Sequence, residues 1–226
     1  MRFERELPEV KFAILSLLLL AASTVTGQTP PPPAKLNARP ESTPMSAAEP
    51  YDKADVATMA SKCVVLSTEA GEIEMEMFPE SAPETVRNFL NLVGTHALDT
   101  TTFSRVVPGF VVQGGNLWTR TGGMPADLAR RARRTIPDEP NKILHDRGIV
   151  SMARPDTPNS ATTNFFILVS EGHHLDGTFA AFGRVTRGMD VVDAINKAAV
   201  TGEKPDKPVR INTGRVTACV GAVPTP

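Results

Sequence analysis

The chain has 226 residues, enough for one good-sized domain with extensions or at most two small ones. Apolar residues make up 41% and charged residues 22%, while 16 Gly and 20 Pro are too few for a collagen-like or wholly disordered chain, so a packed core is expected. With 24 Lys+Arg against 25 Asp+Glu the formal charge is -1, which offers no long-range field to recruit nucleic acid, and two Cys are too few for a disulfide-framework miniprotein or a Cys-rich zinc site.

Residues 1–27 read as an export signal. Lys11 abuts an apolar stretch from Phe12 to Val25 that is shorter than the ~20 residues a membrane span needs. Val25-Thr26-Gly27 before Gln28 has the compact side chains of a cleavage site. The leader is untidy, because Glu4, Glu6 and Glu9 offset Arg2, Arg5 and Lys11, and an uncleaved anchor or a buried cytosolic helix are the alternatives. Cleaved or anchored, the leader places the rest in the periplasm or outside the cell, with no membrane span left after cleavage. Residues 28–60 read as a Pro-rich, disordered linker: Pro30 to Pro33 favour polyproline II, and Pro40, Pro44 and Pro50 keep breaking any helix.

Periodic structure is expected from about residue 61 to the end, in one domain. Cys63 to Ser67 reads as a strand, Glu69-Ala70-Gly71 as a turn, and Glu72 to Met77 alternates charge and apolar residue, so Ile73, Met75 and Met77 face a core and the three glutamates a solvated side. Ser81 with Glu84 forms a capping box, Pro83 suits the first helical turn, and Val86, Phe89, Leu90 and Val93 give the helix one apolar face before Gly94. Strand-like segments recur at Phe103–Val107, Phe110–Gln113, Ile149–Ala153, Phe165–Val169 and Phe179–Val185. A second helix follows Gly188, and Val209 to Val220 supplies the last strand. Strands in series with two isolated helices predict a mainly β fold, a closed or nearly closed antiparallel barrel capped by two helices, rather than a doubly wound sheet.

Four blocks then carry a resemblance. Phe103-Ser104-Arg105-Val106-Val107-Pro108-Gly109-Phe110-Val111-Val112-Gln113-Gly114-Gly115 resembles the signature segment of the cyclophilins, the peptidyl-prolyl cis-trans isomerases. Asp146 to Arg154, Asn159 to Ile167 and Leu175 to Val185 agree with it in order and spacing, and Asn159-Ser160-Ala161-Thr162 is nearer to the compact bacterial members. The resemblance implies an eight-stranded antiparallel barrel with two helices, and an enzyme that turns over X-Pro bonds of exported client proteins without metal or cofactor. It also implies that the partners are Pro-containing polypeptides, with no nucleic acid, and that the chain is a monomer. The other reading is a module of the same shape that binds Pro-containing segments without turning them over.

The resemblance assigns Arg105 as the catalytic donor and Gln113 as the residue orienting it. A guanidinium suits that role, being a rigid fork that stays charged. Phe110, Val111, Phe166 and Leu175 match positions lining the proline pocket, Phe179 a pocket position that varies in type, and the backbone at Ala153 and Arg154 the edge along which the peptide lies. Three positions depart from the family pattern. His174 stands where many eukaryotic members carry a tryptophan that helps bind cyclosporin, Asn164 where glutamine is usual, and Ser104 where a histidine is common. The segment Met124 to Arg134 is longer than the usual loop and holds Arg130, Arg131, Arg133 and Arg134, which read as a solvated, partly helical loop or as a client-selecting patch. His96, His145 and the adjacent His173 and His174 make no chelating pattern.

Cys63 heads the first strand and Cys219 ends the last. In a barrel of this kind the terminal strands lie side by side, so a bridge is within reach in an oxidising compartment; the alternative is a pair of unbridged strand thiols.

Overall fold

The β-hairpin that opens the sheet is closed by a threonine. In the computed structural model, which describes residues 48–219, strands β1 (Lys62–Thr68) and β2 (Gly71–Met77) pair antiparallel. Thr68 Oγ1 donates to the carbonyl of Gly71 at 2.7 Å and accepts from the N–H of Ala70 at 3.1 Å. The alternation of residues 72–77 is realised as expected: Ile73, Met75 and Met77 are buried, and Glu72, Glu74 and Glu76 lie on the outer side, where Arg215, Arg187 and Arg184 pair with them.

Ahead of this hairpin the chain is folded sooner than composition suggests. The expected linker ran to Ala60, but a short helix α1 (Val56–Ala60) is capped by Asp55, whose side chain accepts from Thr58 N at 2.7 Å, and Met59 is fully buried. Tyr51 N–H donates to Asn91 Oδ1 at 2.7 Å, and Arg87 donates to the carbonyls of Tyr51 and Ala54. Met59, with Tyr51 and Ala54 packed against the core, and these hydrogen bonds seat a segment whose composition is that of a linker. The leader and the Pro30 to Pro33 run lie outside the described residues.

Helix α2 (Pro83–Gly94) presents Val86, Phe89, Leu90 and Val93 to the core as its spacing predicts. Its cap differs. Ala82, not Ser81, is the N-cap, and the first free N–H groups, those of Glu84 and Thr85, donate to the carboxylate of Glu139 at 3.0 and 2.7 Å. A carboxylate from a distant loop therefore does the work expected of the capping box, and its charge also suits the positive end of the helix dipole.

The next strands are short: β3 (Arg105–Val107), β4 (Val111–Gly114), β5 (Ile149–Met152) and β6 (Phe165–Leu168), followed by β7 (Ala181–Arg187). Between β4 and β5 lies helix α3 (Ala126–Arg131), so the long loop is partly helical as expected. Its arginines are not uniformly solvated: Arg131 is buried, pairs with Glu49 at 2.6 Å and donates to Asn88 Oδ1 at 2.8 Å, while Arg134 also reaches Glu49. Helix α4 (Met189–Asn196) follows Gly188, a two-stranded hairpin β8 (Val200–Thr201) and β9 (Lys204–Pro205) comes next, and β10 (Ile211–Ala218) ends the sheet. The hairpin has no counterpart in the expected elements.

All eight longer strands form one antiparallel sheet in the order β10-β1-β2-β7-β5-β6-β4-β3. It curls around a core in which Phe89 meets Phe165 and Phe182 at ring-centroid distances of 5.1 and 5.0 Å. Closure of the expected barrel by strand pairing is not complete: among the described residues no ladder joins β3 to β10. The gap is crossed by one bridge, Thr102 to Arg210, and by backbone bonds such as Phe103 N–H to Val209 and Ile211 N–H to Thr101. Thr100, at φ +61°, stands at the start of this crossing, where its N–H donates to the Ile211 carbonyl at 2.8 Å. Cys63 and Cys219 are bridged, with Cα atoms 4.9 Å apart, so the first strand and the end of the last are covalently joined.

Candidate active site

Strand parity creates a second apolar cluster on the outside of the sheet. Val112, Val150, Phe165 and Ile167 point into the core, so their neighbours Val111, Ile149, Phe166 and Leu168 must point the other way, where they pack with Phe110, Leu175 and Phe179. On the same outer face the register sets four residues in a row across β3, β4, β6 and β5: Arg105 opposite Gln113, Gln113 opposite Phe166, and Phe166 opposite Ser151.

This face is hollow. A cleft of about 220 Å³ is lined by Arg105, Phe110, Val111, Gln113, Ala153, Arg154, Phe166, Leu175 and Phe179. An adjoining one of about 440 Å³ shares Arg105, Gln113, Ala153 and Arg154 and adds Pro155, Ser160, Thr162 and Asn164. The first has an apolar floor, Phe166, with Phe179 edge-on at 6.1 Å. Gly172 lets the far wall close, since a Cβ there would stand 2.5 Å from Leu168 and 3.1 Å from Phe110. His174 lies against Phe110, ring centroids 5.3 Å apart and tilted by 32°, on the rim rather than in the cleft.

Arg105 shares the polar side of the cleft with Gln113 and Arg154. Its Nη1 donates to Gln113 Oε1 at 3.2 Å, while Nε and Nη2 donate to the two carboxylate oxygens of Glu203 at 2.6 and 3.1 Å. The guanidinium beside it holds the Glu203 carboxyl below the usual carboxylate range. Arg154 is turned away to other work: it lies 3.3 Å from Asp138, donates to the Pro155 carbonyl at 2.9 Å and sits over the Phe179 ring at 5.2 Å. Ala153 N–H donates to the Asn164 carbonyl at 3.0 Å, which fixes the edge between the two clefts.

Beneath the floor is a buried polar support. His145, fully buried, stacks on Phe166 at 6.5 Å; its Nδ1 donates to Asp176 Oδ1 at 2.9 Å and its Nε2 lies 3.0 Å from Ser151 Oγ. Asp176 also accepts from the backbone N–H of His145 at 2.8 Å and from His173 at 3.1 Å, and the first of these is the main reason its carboxyl titrates below the usual range.

The structure thus gathers every residue assigned from sequence to the donor and pocket, with Asn164 in the neighbouring cleft and His174 on the rim. Sequence reasoning missed Glu203, which sits in an unremarkable Gly-flanked turn, and the support formed by His145, Ser151 and Asp176. The four blocks contain Ser151 and Asp176 of that trio but assign neither a role. A small apolar cleft with a guanidinium held at its edge can bind an uncharged ring and donate a hydrogen bond there; none of its lining residues is arranged as a nucleophile with a base.

Comparison with known proteins agrees with this geometry. Residues 63–216 match the family model of the cyclophilin type peptidyl-prolyl cis-trans isomerases. A peptidyl-prolyl cis-trans isomerase A of Dickeya dadantii is 34% identical over 172 residues, covering 71% of this chain and 87% of its own. A peptidyl-prolyl cis-trans isomerase of Streptomyces antibioticus is 38% identical over 169 residues, covering 68% and 97%. Among solved structures, a cyclophilin of Cryptosporidium parvum determined in the presence of the dipeptide Ala-Pro superposes with a TM-score of 0.61 at 26% identity, over 70% of this chain and 99% of that one.

Proposed function

The chain belongs to the cyclophilin type peptidyl-prolyl cis-trans isomerases and catalyses rotation about X-Pro peptide bonds, and on that premise we propose how its residues do so and where it acts. Arg105 is the donor, Gln113 orients it, and Phe110, Val111, Phe166, Leu175 and Phe179 hold the proline ring. The observation that carries this assignment is the row Arg105, Gln113, Phe166 along one face of the sheet, which puts the only cation of the row beside the apolar floor.

The amide C–N bond resists rotation by ~18 to 20 kcal/mol because resonance gives it double-bond character. Twisting breaks that resonance and returns a lone pair to nitrogen, so the twisted amide is a better hydrogen-bond acceptor there than the planar one. A donor that finds its acceptor only in the twisted state lowers the barrier and not the ground state. One charge-assisted hydrogen bond of ~1.5 to 3 kcal/mol supplies about one to two decades of rate, and desolvation and positioning in the cleft supply the rest. No covalent bond is made or broken. A pure binder would need the cleft but neither the donor nor the residue that orients it.

Its clients are Pro-containing segments of exported proteins, a reading supported by the leader in residues 1–27 and by the bridged Cys63 and Cys219. Among the described residues no helix is long and apolar enough to cross a membrane. Titrating an Ala-Pro peptide into the chain while following backbone amide signals tests the site: shifts concentrated at residues 105–113, 153–154 and 164–166 support it, and shifts elsewhere overturn it. N-terminal sequencing of the native protein tests export, with Gln28 expected first and an intact Met1 in the cytosolic fraction against it.

A further inference from the structure

We propose that Glu203 is a positioning residue for the isomerisation: from the turn between β8 and β9 its carboxylate clamps the guanidinium of Arg105 and, with Gln113, sets the direction in which the remaining N–H donors point. The inference rests on the isomerase reading above.

Two oxygens facing Nε and Nη2 make a two-point contact, which fixes the plane of a guanidinium as well as its distance. Gln113 takes Nη1 from the neighbouring strand. An arginine has five N–H donors, so these three hydrogen bonds leave two for a peptide. The clamp is itself tied to the strand that carries the donor, because the N–H of Val106 donates to the carbonyl of Glu203 at 2.8 Å. The hairpin behind it is closed by Thr201 Oγ1 to Asp206 at 2.8 Å and by Asp206 N–H to the Ala199 carbonyl at 2.9 Å, with Gly202 at φ +65° making the turn that presents Glu203.

Such a clamp matters because the Arg105 side chain is 42% exposed. An exposed arginine held by one neutral acceptor samples many rotamers, and those aimed at the cleft are a fraction of them; holding the group in advance spares the transition state that ordering. The pair is solvent-accessible on both sides, so the gain is modest, about twofold to fivefold in turnover.

The test is a double-mutant cycle on the full chain, reading kcat and KM for an Ala-Pro-containing peptide in the wild type, Glu203→Gln, Arg105→Ala and the double variant. Glu203→Gln lowers kcat by about twofold to fivefold and leaves KM within about 1.5-fold, Glu203→Asp recovers part of the loss, and in the Arg105→Ala background Glu203→Gln changes kcat by no more than about 1.5-fold. The Arg105 Nε–H resonance gives a readout that needs no turnover: slow exchange with solvent in the wild type and faster exchange in Glu203→Gln. An equal loss in both backgrounds, a loss confined to KM, a gain in turnover, or unchanged Nε–H exchange overturns the proposal. A wild-type chain that fails to accelerate exchange overturns the isomerase reading and this role with it, a result visible before any variant is made.

Discussion

Gln113 Oε1 accepts a hydrogen bond from Arg105 Nη1 at 3.2 Å, and the two residues are direct partners across the ladder of β3 and β4. Backbone pairing therefore fixes the separation of donor and tether before either side chain is considered. Gln113→Ala removes one neutral acceptor from the guanidinium and is expected to lower kcat/KM by about twofold to tenfold, the equivalent of ~0.5 to 1.5 kcal/mol. Steady-state kinetics on a folded variant check this, and undiminished turnover would count against the tether.

The cap on α2 gives a stability prediction that separates local from long-range capping. Glu139→Ala should cost about 0.5 to 2 kcal/mol in denaturant unfolding, because the N–H groups of Glu84 and Thr85 lose their acceptor. Ser81→Ala should cost far less, since Ser81 does not cap the helix. The reverse order would restore the capping box.

The bridge between Cys63 and Cys219 closes a loop of 156 residues. Chain entropy gives upwards of ~4 kcal/mol for a loop of that order, an upper figure because reduced chains retain some structure. Native protein denatured without reductant should show no free thiol, and reduction should lower the melting temperature clearly. Two titratable thiols in the native protein would rule the bridge out.

Asp176 predicts a pH dependence. Its carboxyl is held below the usual range chiefly by the backbone N–H of His145, and a group whose folded pKa lies below its unfolded value of ~3.9 stabilises the fold fully above that value and loses this contribution as pH falls through the lowered pKa. Wild-type protein should thus be more stable than Asp176→Asn at neutral pH, with the gap closing as pH drops below about 4. Melting temperatures of the two proteins across pH 2 to 7 check the sign; a gap that widens in acid would contradict it.

What the sequence made legible is what depends on near neighbours. The alternation of residues 72–77 gave the buried face of β2, and spacing of three, four and seven gave the buried face of α2, because each pattern is read within one element. The residues proposed as donor and pocket came from motif resemblance, and they line one cleft, with strand parity placing Phe166 and Val111 outside the core. What stayed hidden depends on partners far along the chain. Glu139 reaches α2 across 55 residues, Arg131 is buried because Glu49 stands 82 residues before it, and Glu203 meets Arg105 across 98. No local signal announces such pairs, and a run of arginines with its counter-charge out of view reads as a solvated surface.

Arg105 is proposed as the donor that meets the twisted amide, so the decisive quantity is the cis-trans exchange rate of an Ala-Pro-containing peptide, measured by NMR exchange spectroscopy with wild-type protein and with Arg105→Ala. Because the side chain is half-exposed and outside the core, the variant should fold as the wild type does and lose at least about one decade of kcat/KM, with peptide affinity little changed. Equal rates for the two folded proteins would contradict the account.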